Sequence, residues 1–92
     1  MKPPPARIDG ALVLEWAWSD VPFGEVRFTD GTLAAVIHGL SLCRYGNDSN
    51  IYRFSCKSAW ETAQDFDHDS VEEAKRDLPD QYRNVPAIWH KC

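Results

Sequence analysis

Acids recur at every second position in Asp65-Phe-Asp-His-Asp69. Oxygen ligands at that spacing open a calcium-binding loop, where they surround a hard cation. The remainder of the calcium pattern fails. Its glycine position holds Ser70, and its closing glutamate position holds Arg76. His68 is of a type that binds zinc, but no second His or Cys stands at ligand spacing. The plainer reading is a solvated loop whose last acid caps a helix. No metal and no cofactor is assigned to it.

Other reactive types are scattered. His38 and Cys43 lie on one strand-like run, and a nucleophilic thiol needs a base within hydrogen-bond reach. Five residues apart on a strand, they face opposite sides and stand roughly 16 Å apart. His38 against Cys56 across a hairpin is geometrically open, with nothing further to support it. A strand histidine and two buried thiols account for all three. At the C-terminal end, alternation turns Trp89 inward and His90 outward. Glu15, Asp20 and Glu25 are of the type that serves as acid and base in glycoside hydrolysis. Nothing fixes their separation, and 92 residues leave little room for a sugar cleft. There is no glycine-rich phosphate loop. Tyr52 and Phe54 on a strand resemble an RNA-binding sheet, but the basic residues are dispersed and the chain is acidic. Catalysis and nucleic-acid binding are therefore not expected.

The elements that would carry these residues are mostly strands. Ala11–Trp18 places Leu12, Leu14, Trp16 and Trp18 on one face at period two, with Ala11, Val13, Glu15 and Ala17 on the other, which is thus also mostly apolar. Such a run, apolar on both faces, is an interior strand. Gly24–Phe28 alternates as a half-exposed strand. Asp30-Gly31 then signals a type I′ hairpin turn. Leu33–Arg44 returns as one long strand, bent or bulged at Gly39. A turn at Gly46–Asn50 leads into Ile51–Cys56, with Tyr52, Phe54 and Cys56 on one face. These three runs make a meander, joined by the first strand beside the second. Residues 57–69 are irregular, with Trp60 as an anchor. Ser70-Val-Glu-Glu73 is a capping box that starts a helix over residues 70–78. Its apolar stripe is Val71, Ala74, Leu78 and Tyr82, and Pro79 ends it. Residues 85–91 form a last strand, placed at an edge by Pro86. The fold class is α+β: a mostly antiparallel sheet of four to five strands in the order β-β-β-β-α-β, with one amphipathic helix on one face. Residues 1–8 form an extended proline-rich leader, and 9–92 a single domain.

Charge is unevenly placed. Residues 61–80 hold eight acids and two bases, a net of −6, while residues 1–60 balance at six of each. The chain's −4 therefore comes from one segment. A one-sided acidic surface repels nucleic acid and attracts basic partners. The candidate binding face is Asp65, Asp67, Asp69, Glu72, Glu73 and Asp77. The longest apolar run falls short of the ~18–20 residues of a membrane span. Cysteines at 43, 56 and 92 do not form a disulfide framework. Together with an N-terminus lacking an apolar signal core, this points to the cytoplasm.

Taken together, Ile51-Tyr-Arg-Phe-Ser-Cys56, Trp60-Glu61, Gln64-Asp65, Asp69-Ser-Val-Glu-Glu-Ala-Lys75, Leu78-Pro79, Gln81-Tyr82 and Trp89 resemble a set of small bacterial proteins of about this length. Asp9-Gly-Ala-Leu-Val-Leu-Glu-Trp16 is similar too. The resemblance implies a bacterial, cytoplasmic origin and carries no catalytic residue with it. The expectation is a protein-binding module of immunity or antitoxin type with a basic partner. The alternatives are a homo-oligomer, such as a dimer through the last strand or exposed Trp residues, and a metal- or ligand-binding protein using residues 65–69.

Overall fold

The computed structural model describes residues 2–92. Met1 of the leader lies outside them. Among the described residues there are eight strands: β1 (Arg7–Ile8), β2 (Ala11–Trp18), β3 (Gly24–Arg27), β4 (Leu33–Ile37), β5 (Gly39–Arg44), β6 (Ile51–Cys56), β7 (Thr62–His68) and β8 (His90–Lys91). One short helix, α1 (Val71–Arg76), and a 3₁₀ turn at Asp80–Tyr82 follow β7. The main sheet is antiparallel in the order β1-β2-β5-β6-β7, with β8 also paired to β2; β3 and β4 form a separate hairpin. The architecture is mostly antiparallel sheet with a small helical component. It has more strands, and a shorter helix, than the sequence led us to expect.

The central strand β2 does not keep one period. Its register against β5 shifts between Val13 and Glu15, leaving Leu14 as the extra residue of a bulge. Ala11 and Val13 therefore share a cluster with Trp16, while Leu14 packs with Leu42, Ile51 and Ala74 on the opposite side. The expected Leu12, Leu14, Trp16, Trp18 face is broken there, and Leu12 ends exposed.

Leu33–Arg44 is two strands, not one. β4 pairs only with β3, and β5 enters the main sheet between β2 and β6. His38 is the junction, and its backbone stays satisfied: its amide donates to Cys56 O and its carbonyl accepts from Ser19 N. The first long strand thus lies beside β5 rather than β3. Gly39 follows because a Cβ there would stand 2.5 Å from the Trp60 ring. Trp60 holds the left-handed backbone φ of 62°, and it fills the face left open by the glycine.

Two Asp-Gly turns occur, and they differ. At Asp9-Gly10 both residues have positive φ, 50° and 84°, between the paired Ile8 and Ala11. That is the two-residue type I′ geometry. It extends the sheet into residues 7–8, which the sequence alone places in the leader. At Asp30-Gly31 only Gly31 is positive. Phe28 N–H donates to Thr32 O and Gly31 N–H to Phe28 O, a three-residue loop with a left-handed glycine rather than type I′.

Residues 62–68, expected to be irregular, form the edge strand β7 along β6. The helix begins as expected. Ser70 Oγ accepts from Glu73 N at 3.1 Å, and Glu73 Oε1 accepts from Asp69 N at 3.2 Å. It ends at Arg76, so the buried Leu78 and Tyr82 continue the apolar stripe from the segment after it. Arg83 donates to Leu78 O at 2.8 Å and to Arg76 O at 3.1 Å, which satisfies carbonyls the helix end leaves open. Of residues 85–91 only His90 and Lys91 pair, and they do so with β2. With β2 as its one neighbour this short strand lies at an edge, as expected, and β7 forms the longer edge on the opposite side of the sheet.

The sheet is buried on both faces. Ile8, Ala11, Val13, Trp16, Cys43, Phe54, Cys56 and Trp60 pack on one. On the other, Ala17, Phe23, Ile37, Leu40, Leu78 and Tyr82 form one cluster, and Leu42, Ile51 and Ala74 form another under α1. Each large side chain contributes about 1.5–3 kcal/mol by leaving water.

Candidate functional site

The pairing of β7 with β6 sorts the acidic run into two sides. Asp65 and Asp67 stand opposite Phe54 and Tyr52, whereas Gln64, Phe66 and His68 stand opposite Ser55, Arg53 and Ile51. Alternation then puts Asp65 and Asp67 on the tryptophan side of the sheet and His68 on the helix side. Both aspartates are exposed. Asp69 is exposed at the turn between strand and helix, and Glu72 is exposed on α1. Glu73 is held by the cap. Asp77 pairs with Arg76 at 3.1 Å, and that hydrogen bond lowers its pKa and raises that of Arg76. The six acids are thus near in sequence but do not form a single face.

Glu73 and Asp77 meet His68 instead. One donor atom from each of the three lies within 4.8 Å of the others. His68 Nδ1 is 3.5 Å from Glu73 Oε1. These residues line a cavity of about 290 Å³ together with Arg53, Phe66 and Pro79. Two of its walls are polar groups taken out of water: His68 is 5% exposed and Arg53 2%. His68 Nε2 and Arg53 Nε have no hydrogen-bond partner among the described residues. Burial lowers the Arg53 pKa, and the guanidinium carbon lies 5.3 Å from the centre of the Tyr82 ring. Tyr82 in turn donates its hydroxyl to Gln64 Oε1. Phe66, exposed on β7, sits 5.3 Å from the His68 ring.

Arg53 and Phe66 were not singled out in the sequence. The available signal was spacing. Glu73 and Asp77 are four apart, one helical turn, and therefore on the same side of α1. His68 belongs to that side only because β7 is a strand.

The other candidate groups are engaged elsewhere. Burial pushes the Cys43 thiol up to about 11 and the Cys56 thiol up to about 12, so both stay protonated at neutral pH. His38 Nδ1 is 2.9 Å from Ser19 O, and its ring stacks on Trp18. It reaches Cys56 only through its backbone. His90 is half-buried and stacks on Trp16 at 4.6 Å, so it is not turned out to solvent. Glu15 is buried and paired with Lys75 at 2.7 Å; Glu25 pairs with Arg27 at 2.6 Å; Asp20 accepts from Trp18 Nε1 at 3.2 Å. The three carboxylates serve three separate places. A larger polar cavity of about 750 Å³ lies between β3, β7 and the 3₁₀ turn. Its amides are used in the fold: Gln81 donates to Glu25 O and Asn84 to Pro22 O, each at 3.0 Å. Among the described residues, no helix is long and apolar enough to cross a membrane.

No protein-family model, no curated protein and no solved structure matches the chain.

Proposed function

We propose that this chain is a protein-binding module that takes an extended, basic segment of its partner along β7. The observation that carries the reading is the open edge itself. β7 runs for seven residues with a neighbour on one side only. It contains no proline, and it exposes Asp65 and Asp67 on one side and Phe66 on the other. An open edge offers unpaired N–H and C=O groups to an incoming strand, and the alternate side chains then select it. The aspartates make that selection by charge. Strand addition by a second copy of β7 would crowd carboxylates together, which is destabilising. A segment alternating lysine or arginine with apolar residues would pair with Asp65 and Asp67 and cover Phe66. The net −6 of residues 61–80 speeds capture of such a partner. A small acidic module of this kind fits an immunity- or antitoxin-like role in a bacterial cytoplasm, shielding a basic partner by contact rather than by catalysis.

The test uses two synthetic probes, a nine-residue peptide alternating Lys and Val and its Glu/Val counterpart, titrated into isotope-labelled protein. The Lys/Val peptide is expected to shift the amides of residues 62–68. Asp65→Lys/Asp67→Lys should weaken it by at least roughly tenfold, and added salt should weaken it too. Shifts confined to other elements, or equal binding of both peptides, would discard the reading.

A further inference from the structure

We propose that His68, Glu73 and Asp77 form a binding site for a divalent transition-metal ion of the zinc class. The site adjoins the edge-strand surface, sharing Phe66 and the end of β7 with it, but uses neither Asp65 nor Asp67. It does not use the 65–69 calcium-like spacing, from which it takes only His68.

The geometry is close to that of a bound ion. Zinc holds nitrogen and oxygen ligands at about 2.0–2.2 Å in a tetrahedron. Two such ligands lie roughly 3.3–3.6 Å apart by that geometry. His68 Nδ1 and Glu73 Oε1 are already 3.5 Å apart, and the three donors fall within 4.8 Å. That 3.5 Å is long for a hydrogen bond. Asp77 completes the set by turning from Arg76, an exposed pair of little net worth.

The independent observation is the burial of His68. A 5% exposed imidazole lines the cavity with Nε2 unpartnered. A buried polar group without a partner is costly and calls for a physical reason. Coordination supplies one for the ring as a whole: Nδ1, which faces Glu73 Oε1 at 3.5 Å, would bind the ion, and Nε2 would then carry the ring's N–H. Charge agrees once Asp77 turns from Arg76: two carboxylates then face the single guanidinium of Arg53 in the cavity. One imidazole and two carboxylates suit zinc, cobalt or manganese better than calcium, which takes six to eight oxygens. Three protein ligands leave a fourth position for water, as in sites where zinc stays open. Arg53, with Nε unpartnered, lines the same cavity.

The experiment titrates chelator-treated protein with Zn²⁺ and, for its spectrum, Co²⁺. All variants carry Cys92→Ser, which removes the exposed thiol. One ion per chain should bind, and Tm should rise by on the order of 10 °C at a hundredfold excess over Kd. Co²⁺ should give visible d–d bands without a thiolate charge-transfer band. Asp77→Asn changes an exposed residue, and Glu73→Gln keeps an oxygen for the Asp69 amide. Both should leave metal-free Tm within a few degrees and weaken Zn²⁺ at least roughly tenfold; His68→Gln should abolish binding. No binding by the parent, or undiminished binding in Asp77→Asn and Glu73→Gln, overturns the proposal.

Discussion

Three cysteines occupy three different environments, and their chemistry follows. Cys43 and Cys56 are fully buried beside Val13 and Phe54, whereas Cys92 is exposed. Burial raises the two core thiols to about 11 and about 12 from an ordinary 9.0. The unfolded chain therefore loses these protons first. Stability from this source is fully present below about pH 9 and declines from there up to about pH 12, by up to about 1.4 kcal/mol per pH unit for each thiol. Urea midpoints measured from pH 8 to pH 11 should fall, and Cys43→Ala/Cys56→Ala should flatten that fall. At pH 8 a disulfide reagent should titrate one thiol in the native protein and three in denaturant. The fate of Cys43 and Cys56 was legible in their strand-like surroundings. The meeting of His68 with Glu73 was not, because it depends on the side toward which β7 turns.

The helix α1 is six residues long, too short to persist without packing and caps. Ala74, buried against Leu42 and Ile51, and the Ser70–Glu73 exchange hold it. Ser70→Ala should cost about 1 kcal/mol, read as a lowered urea midpoint. Amide exchange should accelerate first in residues 71–76, with β5 and β6 protected longer. This cap was fully visible in the sequence, since its residues are consecutive and its physics is local. So were β2 and β6, whose apolar runs are dense. β7 was not: Thr-Ala-Gln-Asp-Phe-Asp-His has little β propensity, and only its ladder with β6 makes it a strand. The bulge at Leu14 was hidden for the same reason, being a property of two strands together. The sequence signals a type I′ turn at Asp30-Gly31, but that geometry belongs to Asp9-Gly10, where a two-residue strand precedes it.

At the scale of the whole molecule, β1 and β8 share one side of β2. β1 pairs with Ala11 and Leu12, and β8 with Glu15 and Trp16. β1 and β8 thus line the same side of β2, and β7 is the long strand at the opposite edge. Removing His90–Cys92 should uncover the Trp16 ring and part of β2. Its tryptophan emission should move to longer wavelength. Sedimentation should show more concentration-dependent association than the full chain gives, since an uncovered central strand is a pairing template. The segregation of negative charge was legible as composition. Its division between two sides of an edge strand was a matter of topology.

The closure of β2 by His90 and Lys91 also sets an order of events in time. Strands formed early wait for their last neighbour, because a pairing of such long sequence separation carries a large loop-closure cost and forms slowly. At about 5–20 residues per second, the stretch from Trp16 to His90 takes roughly 4–15 s to synthesise. For that interval the nascent chain carries a half-covered strand bearing Trp16 and Trp18, and it is then that aggregation competes hardest with folding.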